Sequence, residues 1–442
     1  MEEAQRQATL VLRRVLDGTT LPEALAAVLP VGDAPPGVDP GRRRALVQEL
    51  AYGTLRHWGT LAALTAKLAA KPFTDPALAD LVAVALYQLD HTRAPAFAIV
   101  DRAVAAAAEL ARPAAKGVVN AMLRRYLRER EALRAAVRSD PVARYSYPAW
   151  WIARIEAQYG DLAPALLDAG NERPPLALRV NRRAGTREAL LARFAAADIA
   201  ATGAGESGIV VETPRPVPSL PGYEDGAFSV QDLGAQLAAP LLGVADGQRV
   251  LDACAAPGGK ATHVLELADV LLTALDSDEA RLPRLEANLA RLRLGPARQG
   301  AAVTVRAGDA SRPAEWWDGR PFDRIIADVP CTASGVIRRH PDGKWLRREA
   351  DLPAFVRTQR RILDALWPLL APGGRLLYAT CSLFAEENEE QAAAFVARNP
   401  DALRETISFD PAVAARGGQL LPSSPGAVHN QDAFFYALFR KG

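Results

Sequence analysis

Residues 251–260 read Leu-Asp-Ala-Cys-Ala-Ala-Pro-Gly-Gly-Lys, and this stretch decides the fold predicted for the second half of the chain. Leu251 and Asp252 end a short apolar run of strand character. Gly258 and Gly259 then allow a tight turn into a helix. Such a turn brings the first N–H groups of the helix close to a bound ligand. The stretch therefore predicts a strand, a ligand-binding loop and a helix start.

Short apolar runs recur along the rest of this half and are separated mostly by helical stretches. They lie at residues 250–252, 270–276, 303–305, 322–328 and 375–380. Strands that alternate with helices predict a parallel sheet covered on both faces, in which ligands bind at the carboxyl ends of the strands. Polar side chains fall at four of these ends, namely Asp252, Asp276, Asp328 and Thr380. We therefore predict that they share one site.

Two acids are predicted to bind the sugar and the base of a nucleoside. Asp276 ends the second strand and suits the hydroxyls of a ribose, and Asp309 follows the third strand and suits an adenine amino group. The loop has neither a Walker A pattern nor GxGxxG, which favours a nucleoside without a pyrophosphate. The alternative for any one acid is a solvated carboxylate beside a tight turn. The predicted cofactor site comprises Cys254, Ala255, Ala256, Pro257, Gly258, Gly259, Lys260, Asp276, Asp309 and Asp328.

The chain has three cysteines, and all of them lie in motifs next to predicted strands. Cys254 is in the loop, Cys331 follows Asp-Val-Pro, and Cys381 lies in Thr-Cys-Ser. Two thiols just beyond buried strands and beside a ligand loop indicate a nucleophile that works next to a bound cosubstrate. The alternative for each thiol alone is a small buried side chain. The odd number of cysteines argues against a disulfide framework, and the absence of CxxC and HExxH patterns predicts no metal site.

The two later thiols suit methylation of C5 in a pyrimidine, a carbon that is barely nucleophilic. A thiolate that adds to C6 makes C5 reactive toward the sulfonium methyl of S-adenosylmethionine, and loss of the C5 proton then lets the thiol leave. The reaction also needs a group that hydrogen-bonds N3 while charge develops on the ring. Asp328 is placed for this role, three residues before Cys331, and Pro330 would stiffen the turn and contact the base.

Three motifs resemble those of the RNA cytosine-5 methyltransferases. They are residues 251–260, residues 328–342 (Asp-Val-Pro-Cys through His-Pro-Asp) and residues 378–382 (Tyr-Ala-Thr-Cys-Ser), the last followed by Glu386-Glu387-Asn388. The resemblance implies that Cys381 is the nucleophile and that Cys331 assists product release. DNA cytosine-5 methyltransferases instead attack from the Pro-Cys motif. Val329 replaces the alanine that is usual in the family's Asp-Ala-Pro-Cys motif.

Residues 1–140 have apolar residues at helical spacing and predict an all-α bundle. Residues 115–125 resemble the end of a NusB-like RNA-binding domain. Residues 141–235 predict a linker with a small α+β subdomain, and residues 236–442 predict a Rossmann-like α/β methyltransferase domain that uses S-adenosylmethionine. A NusB-like bundle followed by a methyltransferase resembles the RsmB (Fmu/Sun) family. That resemblance implies methylation of one cytosine in bacterial 16S ribosomal RNA, free or in a partly assembled small subunit.

Charge and hydropathy limit the kinds of partner that the chain can have. The formal net charge is +2, but residues 1–140 hold 19 Lys and Arg against 15 Asp and Glu, which indicates that this part faces a polyanion. Four residues at the Pro-Cys motif are predicted to contact RNA, with a solvated basic loop as the alternative: Pro330, Arg338, Arg339 and Lys344. There is no run of 18 apolar residues and the start is acidic, which predicts a cytoplasmic protein without membrane contact. We expect a monomer.

Two other functions are compatible with parts of the sequence. A cytosine-5 methyltransferase that acts on tRNA would carry the same catalytic motifs, and only the NusB-like region disfavours it. A non-catalytic RNA-binding or antitermination factor would keep the methyltransferase fold as a scaffold. The intact set of polar and thiol residues argues against that factor: Asp252, Asp276, Asp328, Cys331 and Cys381. Methyl transfer from a labelled cofactor to ribosomal RNA separates the three functions.

Overall fold

The computed structural model describes residues 2–30, 39–110, 115–295, 302–422 and 430–442. The chain divides into two compact units. Unit 1 comprises Met1–Glu172 and Ile337–Glu349, and unit 2 comprises Arg173–Val336 and Ala350–Gly442. The three predicted domain ranges (1–140, 141–235 and 236–442) stay a prediction. The structure adds that residues 337–349, from within the predicted methyltransferase domain, belong to unit 1.

The helices are, in chain order, α1 (Glu2–Leu16), α2 (Leu21–Val28), α3 (Pro40–Arg56), α4 (Trp58–Leu68), α5 (Pro76–His91), α6 (Ala96–Leu110), α7 (Ala115–Val137), α8 (Pro141–Tyr145), α9 (Ala149–Tyr159), α10 (Ala163–Ala169), α11 (Arg187–Ala196), α12 (Ala238–Leu242), α13 (Gly259–Leu267), α14 (Leu282–Arg291), α15 (Gly343–Leu346), α16 (Leu352–Leu366) and α17 (Glu389–Arg398). Three of them begin with an aspartate cap followed by a proline, which suits the first helical position. The capping residues are Asp39, Asp75 and Asp140. These signals explain why α3, α5 and α8 begin where they do.

The strands are, in chain order, β1 (Leu176–Val180), β2 (Ala201–Ala204), β3 (Gly208–Val211), β4 (Phe228–Val230), β5 (Arg249–Asp252), β6 (Leu271–Asp276), β7 (Ala302–Ala307), β8 (Phe322–Asp328), β9 (Leu370–Thr380), β10 (Ala402–Glu405), β11 (Ala415–Arg416), β12 (Gln419–Leu420) and β13 (Phe435–Lys441). All of them lie in unit 2. The predicted runs from 250 to 380 each correspond to one of these strands.

Helix α5 lies at the centre of unit 1 and packs against α1, α3, α4, α6 and α7. Its residues from Leu81 to Tyr87 are all buried, because a central helix is covered on every side. The surrounding helices turn apolar faces toward it, including Val11 and Val15 of α1 and Leu64 of α4. The predicted helical N-terminal region is confirmed. Every helix among the described residues is too short or too polar to span a bilayer.

A small antiparallel sheet opens unit 2, with the strand order β2-β3-β1-β4. Helix α11 packs on β2 and β3. Phe194 of the helix is buried in one cluster with Leu178 of β1 and Phe228 of β4. This part is the predicted α+β subdomain.

The large sheet of unit 2 has the order β11-β12-β13-β9-β8-β5-β6-β7, with β10 paired to β13. Strands β5 to β9 are parallel to their neighbours, and β13 runs antiparallel to β9. Helices cover both faces: Val250 of β5 packs with α12, α13 and α14, whereas Leu251 packs with α16 and α17. Successive strand residues face opposite sides, so a strand covered on both faces is apolar throughout. The predicted Rossmann-like domain is confirmed.

Strands β5, β6, β8 and β9 end at Asp252, Asp276, Asp328 and Thr380, as the sequence predicts. These strands are parallel, so their carboxyl ends lie at one edge of the sheet. The strand order reverses between β5 and β8, and in open α/β sheets this reversal is where ligands bind. The fold therefore places the predicted site residues at a binding edge.

A buried arginine ties the small sheet to helix α13. The side chains of Arg179 on β1 and Glu266 on α13 are both fully buried. The guanidinium donates to both carboxylate oxygens, from Nε to Oε2 at 2.9 Å and from Nη2 to Oε1 at 2.7 Å. It also donates to Gly259 O at 2.7 Å, to Thr262 Oγ1 at 3.0 Å and to Gln231 Oε1. The helix that follows the ligand loop is thereby fixed from the small sheet.

We expect Arg179→Met to lower the free energy of unfolding by about 3–5 kcal/mol, because the Glu266 carboxylate would stay buried without its cation. Urea unfolding followed by circular dichroism measures the change. The double variant Arg179→Met with Glu266→Leu removes both charges and should recover most of the loss. A single variant as stable as the unmodified protein would contradict the importance of this ion pair.

Candidate active site

The loop between β5 and α13 has a backbone shape that requires a glycine. Gly258 has a φ of +102°, in the left-handed region, and a Cβ there would lie 3.1 Å from Leu285 Cγ. The side chain of Arg281 donates to Ala256 O and holds the loop from the side of α14. The loop is therefore fixed at the carboxyl end of β5.

The two acids predicted to bind a nucleoside lie at neighbouring strand ends. Asp276 Oδ2 accepts from Ala256 N at 2.9 Å and Oδ1 accepts from Asp278 N at 3.0 Å, so this carboxylate also braces the loop. Asp309 Oδ1 accepts from Ser311 N and from Ser311 Oγ, both at 2.8 Å. Burial alone would raise the pKa of Asp309, but the hydrogen bonds from Ser311 outweigh it and the pKa is lowered. Asp309 is thus a carboxylate acceptor at neutral pH.

Asp252 is fully buried at the end of β5. Within the described parts of the chain, neither of its carboxylate oxygens has a hydrogen-bond partner. Burial and the nearby charge of Asp328 raise the pKa of Asp252 to about 7. Two carboxyl groups therefore meet at the ends of the neighbouring strands β5 and β8.

Lys260 connects the ligand loop to the Pro-Cys motif. Its Nζ lies 2.6 Å from Asp328 Oδ2 and 5.8 Å from the centre of the Phe434 ring. Burial alone would lower the pKa of Lys260, but the charge of Asp328 outweighs it and the pKa is raised. The ammonium group therefore stays charged. It fixes the carboxylate of Asp328, the residue predicted to contact the base.

The two thiols predicted to act in catalysis lie side by side. Cys331 Sγ and Cys381 Sγ are 3.3 Å apart, within hydrogen-bond distance. Cys331 is buried, whereas Cys381 is partly exposed. The hydrogen bond with Cys381 and burial raise the pKa of Cys331 well above its ordinary value. Burial also raises the pKa of Cys254.

A buried polar network joins the two loops that carry these cysteines. Ser334 Oγ lies 3.0 Å from Ser382 Oγ, and Gly335 N donates to Cys381 O at 2.8 Å. Glu387 is fully buried and accepts hydrogen bonds from both loops. The relative position of the two thiols is therefore set by contacts behind them.

The structure contradicts the prediction that Lys344 contacts RNA. Lys344 is fully buried in unit 1, where its Nζ donates to Arg56 O at 2.7 Å and to Asn171 Oδ1 at 2.6 Å. The same atom lies 4.3 Å from the centre of the Tyr147 ring. Burial lowers the pKa of Lys344 well below its ordinary value. Its Nζ is bound within the helical unit and is not exposed to a phosphate.

The other three residues predicted to contact RNA differ in exposure. Arg338 is 2% exposed, which argues against the predicted phosphate contact. Arg339 is half-buried and Pro330 is exposed. RNA contact by Arg339 and Pro330 stays a prediction.

Two residues that hold the loops of this site, Arg179 and Glu387, are not among the site residues predicted from the sequence. Arg179 is a lone charge in the otherwise apolar strand Leu176–Val180, and such a pattern is typical of a buried arginine with a partner. The position of Glu387 shortly after Thr-Cys-Ser is the sequence feature that points to its contact with this motif.

Comparisons with known proteins match three ranges of the chain to family models. The family model described as 16S rRNA methyltransferase RsmB/F matches residues 239–440. A model for the ferredoxin-like domain of RsmF/B-like methyltransferases matches residues 147–218, and the NusB family model matches residues 3–128. The three matches follow the order of the predicted regions along the chain.

Individual relatives match nearly the whole chain. Ribosomal RNA small subunit methyltransferase B from Pseudomonas putida is 45% identical over 402 residues, and the protein of that name from Vibrio cholerae is 42% identical over 405 residues, each match covering 90% of both chains. Among solved structures, PH0851 has the same fold, with a TM-score of 0.77 at 23% identity over 100% of this chain and 99% of that one. A methyltransferase homologue from Pyrococcus horikoshii has a TM-score of 0.58 at 26% identity and covers 69% of this chain and 98% of its own. The chain therefore belongs to the RsmB family of 16S rRNA methyltransferases.

Proposed function

We propose that this protein methylates C5 of a cytosine in 16S ribosomal RNA, with S-adenosylmethionine as methyl donor and a covalent bond between Cys381 and C6 of the base. The observation that carries the proposal is the pair of sulfur atoms 3.3 Å apart, at the same sheet edge as the Lys260–Asp328 ion pair. A nucleophile, a second thiol and a fixed carboxylate are the groups that this reaction needs. The names of the relatives support 16S ribosomal RNA as the substrate.

The residues around the β5–α13 loop fit S-adenosylmethionine. Gly258 allows the left-handed turn that places the loop at the end of β5, and the carboxylates of Asp276 and Asp309 suit the ribose and the adenine amino group. When bound, the compound supplies an electrophilic methyl group on sulfur. The loop, Asp276 and Asp309 would hold it beside the strand ends that carry the thiols.

The protein groups have distinct tasks in the proposed reaction. The Cys381 thiolate forms a bond to C6, and negative charge moves to C5 and the N3 side of the ring. Asp328, held by Lys260, would share a proton with N3 of the base: this proton, on the carboxyl group or on N3, makes the hydrogen bond between them and offsets the charge as it develops.

C5 would then bond to the methyl group as the bond from that carbon to the sulfonium sulfur breaks and leaves its electron pair on that sulfur. The C5 proton would pass to water, and the electrons of that C–H bond would restore the ring double bond as the bond from the Cys381 sulfur to C6 breaks. Cys331 stays protonated and lies 3.3 Å from the departing sulfur. Its S–H is therefore placed to stabilise the Cys381 thiolate as it leaves.

Methyl transfer to ribosomal RNA tests the proposal directly. The full chain is incubated with labelled S-adenosylmethionine and either 16S ribosomal RNA or tRNA, and the modified nucleoside is identified by mass spectrometry. We expect 5-methylcytidine at one position of the 16S RNA. Label in tRNA alone, or on another atom, would contradict the proposal.

Replacement of Cys381 and replacement of Cys331 should block different steps of the reaction. We expect Cys381→Ala to abolish turnover and to form no covalent RNA complex, because no bond to C6 can form. We expect Cys331→Ala to attack and transfer the methyl group but to release the product poorly. A protein–RNA adduct that survives denaturing electrophoresis should then accumulate.

Cys254→Ala is the matched control for the loss of a thiol, and it should form no lasting adduct. The opposite pattern, with adducts from Cys381→Ala and none from Cys331→Ala, would show that attack begins at the Pro-Cys motif. The nucleophile would then be wrongly assigned, but the reaction class would stand.

Replacement of the predicted ribose acceptor should weaken cofactor binding. We expect Asp276→Ala to reduce the affinity for S-adenosylmethionine by about 10- to 100-fold, because a charge-assisted hydrogen bond contributes roughly 1.5–3 kcal/mol. The variant also removes the acceptor for Ala256 N in the loop. Titration calorimetry measures the affinity, with the exposed Glu279→Gln as control. Equal affinity in both variants would remove Asp276 from the cofactor site.

A further inference from the structure

We propose that Glu387 is a positioning residue. Its carboxylate forms a clamp, since it accepts hydrogen bonds from both the Pro-Cys loop and the Thr-Cys-Ser loop, and so fixes the relative position of the two thiols. Glu387 lies outside the catalytic groups named above and touches neither sulfur in a hydrogen bond. The kinetic consequence of the proposal rests on the proposed function, whereas its structural consequence does not.

The contacts of Glu387 reach the residue that follows each thiol. Oε1 accepts from Thr332 N and from Gln359 Nε2, both at 2.9 Å. Oε2 accepts from Thr332 Oγ1 and from Ser382 Oγ, both at 2.5 Å. Thr332 follows Cys331, and Ser382 follows Cys381. One carboxylate therefore fixes both cysteine loops at their closest approach.

Glu387 itself is held in place by its own backbone. Tyr378 OH donates to Glu387 O at 2.5 Å, and Tyr378 lies on β9, which ends just before the Thr-Cys-Ser loop. Gln359 on α16 also donates to Pro330 O at 3.0 Å, which adds a contact to the Pro-Cys loop. The clamp thus connects a strand, a helix and both loops.

The burial of this carboxylate is costly for a purely structural role. Glu387 is 0% exposed, and the four hydrogen bonds described come from neutral donors. A buried carboxylate that lacks a cation loses its hydration and recovers only part of it from neutral donors. In return it can only accept hydrogen bonds, so the hydroxyls of Thr332 and Ser382 must both point toward it. An amide or an apolar side chain would not impose this orientation.

The charge of Glu387 also affects the two thiols unequally. The groups that face Cys331 include Cys381, Glu387 and the hydroxyl of Tyr378. After the hydrogen bond with Cys381 and burial, the charge of Glu387 further raises the pKa of Cys331. Glu387 therefore helps to keep the second thiol protonated.

The test compares Glu387→Gln with Glu390→Gln, an exposed acid on the same segment, in the full chain. Glutamine keeps the shape and one oxygen but places an amide N–H₂ where a carboxylate oxygen accepted hydroxyl groups. We expect kcat for methylation of 16S ribosomal RNA to fall by about 10- to 100-fold with unchanged KM, since small misplacements of reacting groups have effects of this size. Glu390→Gln should match the unmodified protein in kcat and KM.

A second readout needs no methyl transfer. Iodoacetamide at pH 8 and peptide mass spectrometry give the ratio of modified Cys331 to modified Cys381. We expect Glu387→Gln to raise this ratio on the order of fivefold, because Cys331 becomes less shielded and easier to ionise. If the unmodified protein proves inactive on 16S RNA, the proposed function fails while the thiol ratio still decides the role of Glu387.

Thr332→Val serves as a second variant in case Glu387→Gln does not fold. It removes one hydroxyl donor to Oε2 and leaves Thr332 N in place. We expect a smaller fall in kcat and a smaller rise in the ratio of modified Cys331 to modified Cys381. The temperature of thermal unfolding should stay close to that of the unmodified protein. The proposal would be overturned if Glu387→Gln folds and leaves both kcat and the thiol ratio unchanged. If Glu387→Gln does not fold, the same result with folded Thr332→Val would overturn it.

Discussion

The ion pair between Lys260 and Asp328 is the constraint on which the arrangement of the site depends. Lys260 lies in the first turn of α13 and Asp328 ends β8, so their 2.6 Å contact joins the ligand loop to the Pro-Cys motif. Asp252 ends the neighbouring strand and is buried near Asp328, which raises the pKa of Asp252 to about 7. The Lys260 ammonium is therefore paired with Asp328 at a place where two carboxyl groups lie close together. The ion pair that holds Asp328 for the predicted contact with the base also offsets the repulsion between the carboxyl groups of Asp328 and Asp252.

The strand ends could be predicted from sequence, but the partners of long side chains could not. Each of the apolar runs 274–275 and 325–327 is followed by an acid, so Asp276 and Asp328 could be predicted to end their strands at the binding edge. Lys260 is predicted to belong to the cofactor site, but the sequence does not identify Asp328 as the partner of its Nζ. Nor does the sequence identify Glu266 as the partner of Arg179. Both partnerships depend on which elements are neighbours in space, and strand order is not local information.

The exchange of chain between the two units explains why a basic motif gave a wrong prediction. Residues 337–349 follow the Pro-Cys loop in sequence but pack within unit 1. There Asp342 accepts from Leu21 N at 3.0 Å, and Trp345 Nε1 donates to Leu55 O at 2.9 Å. Local composition suggested a solvated or RNA-facing loop, whereas these side chains are partners of helices about 290 to 320 residues earlier. The helical unit therefore anchors the chain only six residues beyond Cys331, and a fragment without it would lose these contacts.

The two cysteines that we propose to act in catalysis differ in their electrostatic surroundings. The proposed reaction needs one sulfur that ionises to attack and one that stays protonated to stabilise it as it leaves. The negative charge of Glu387 acts on Cys331 and raises its pKa, after the larger effects of the Cys381 hydrogen bond and burial. The charge of Cys381 in turn contributes to raising the pKa of Lys260, although Asp328 contributes more. The charge of Glu387 therefore favours a thiol at Cys331, so the residue that joins the two loops also helps to keep the second sulfur protonated for the step that our proposal gives it.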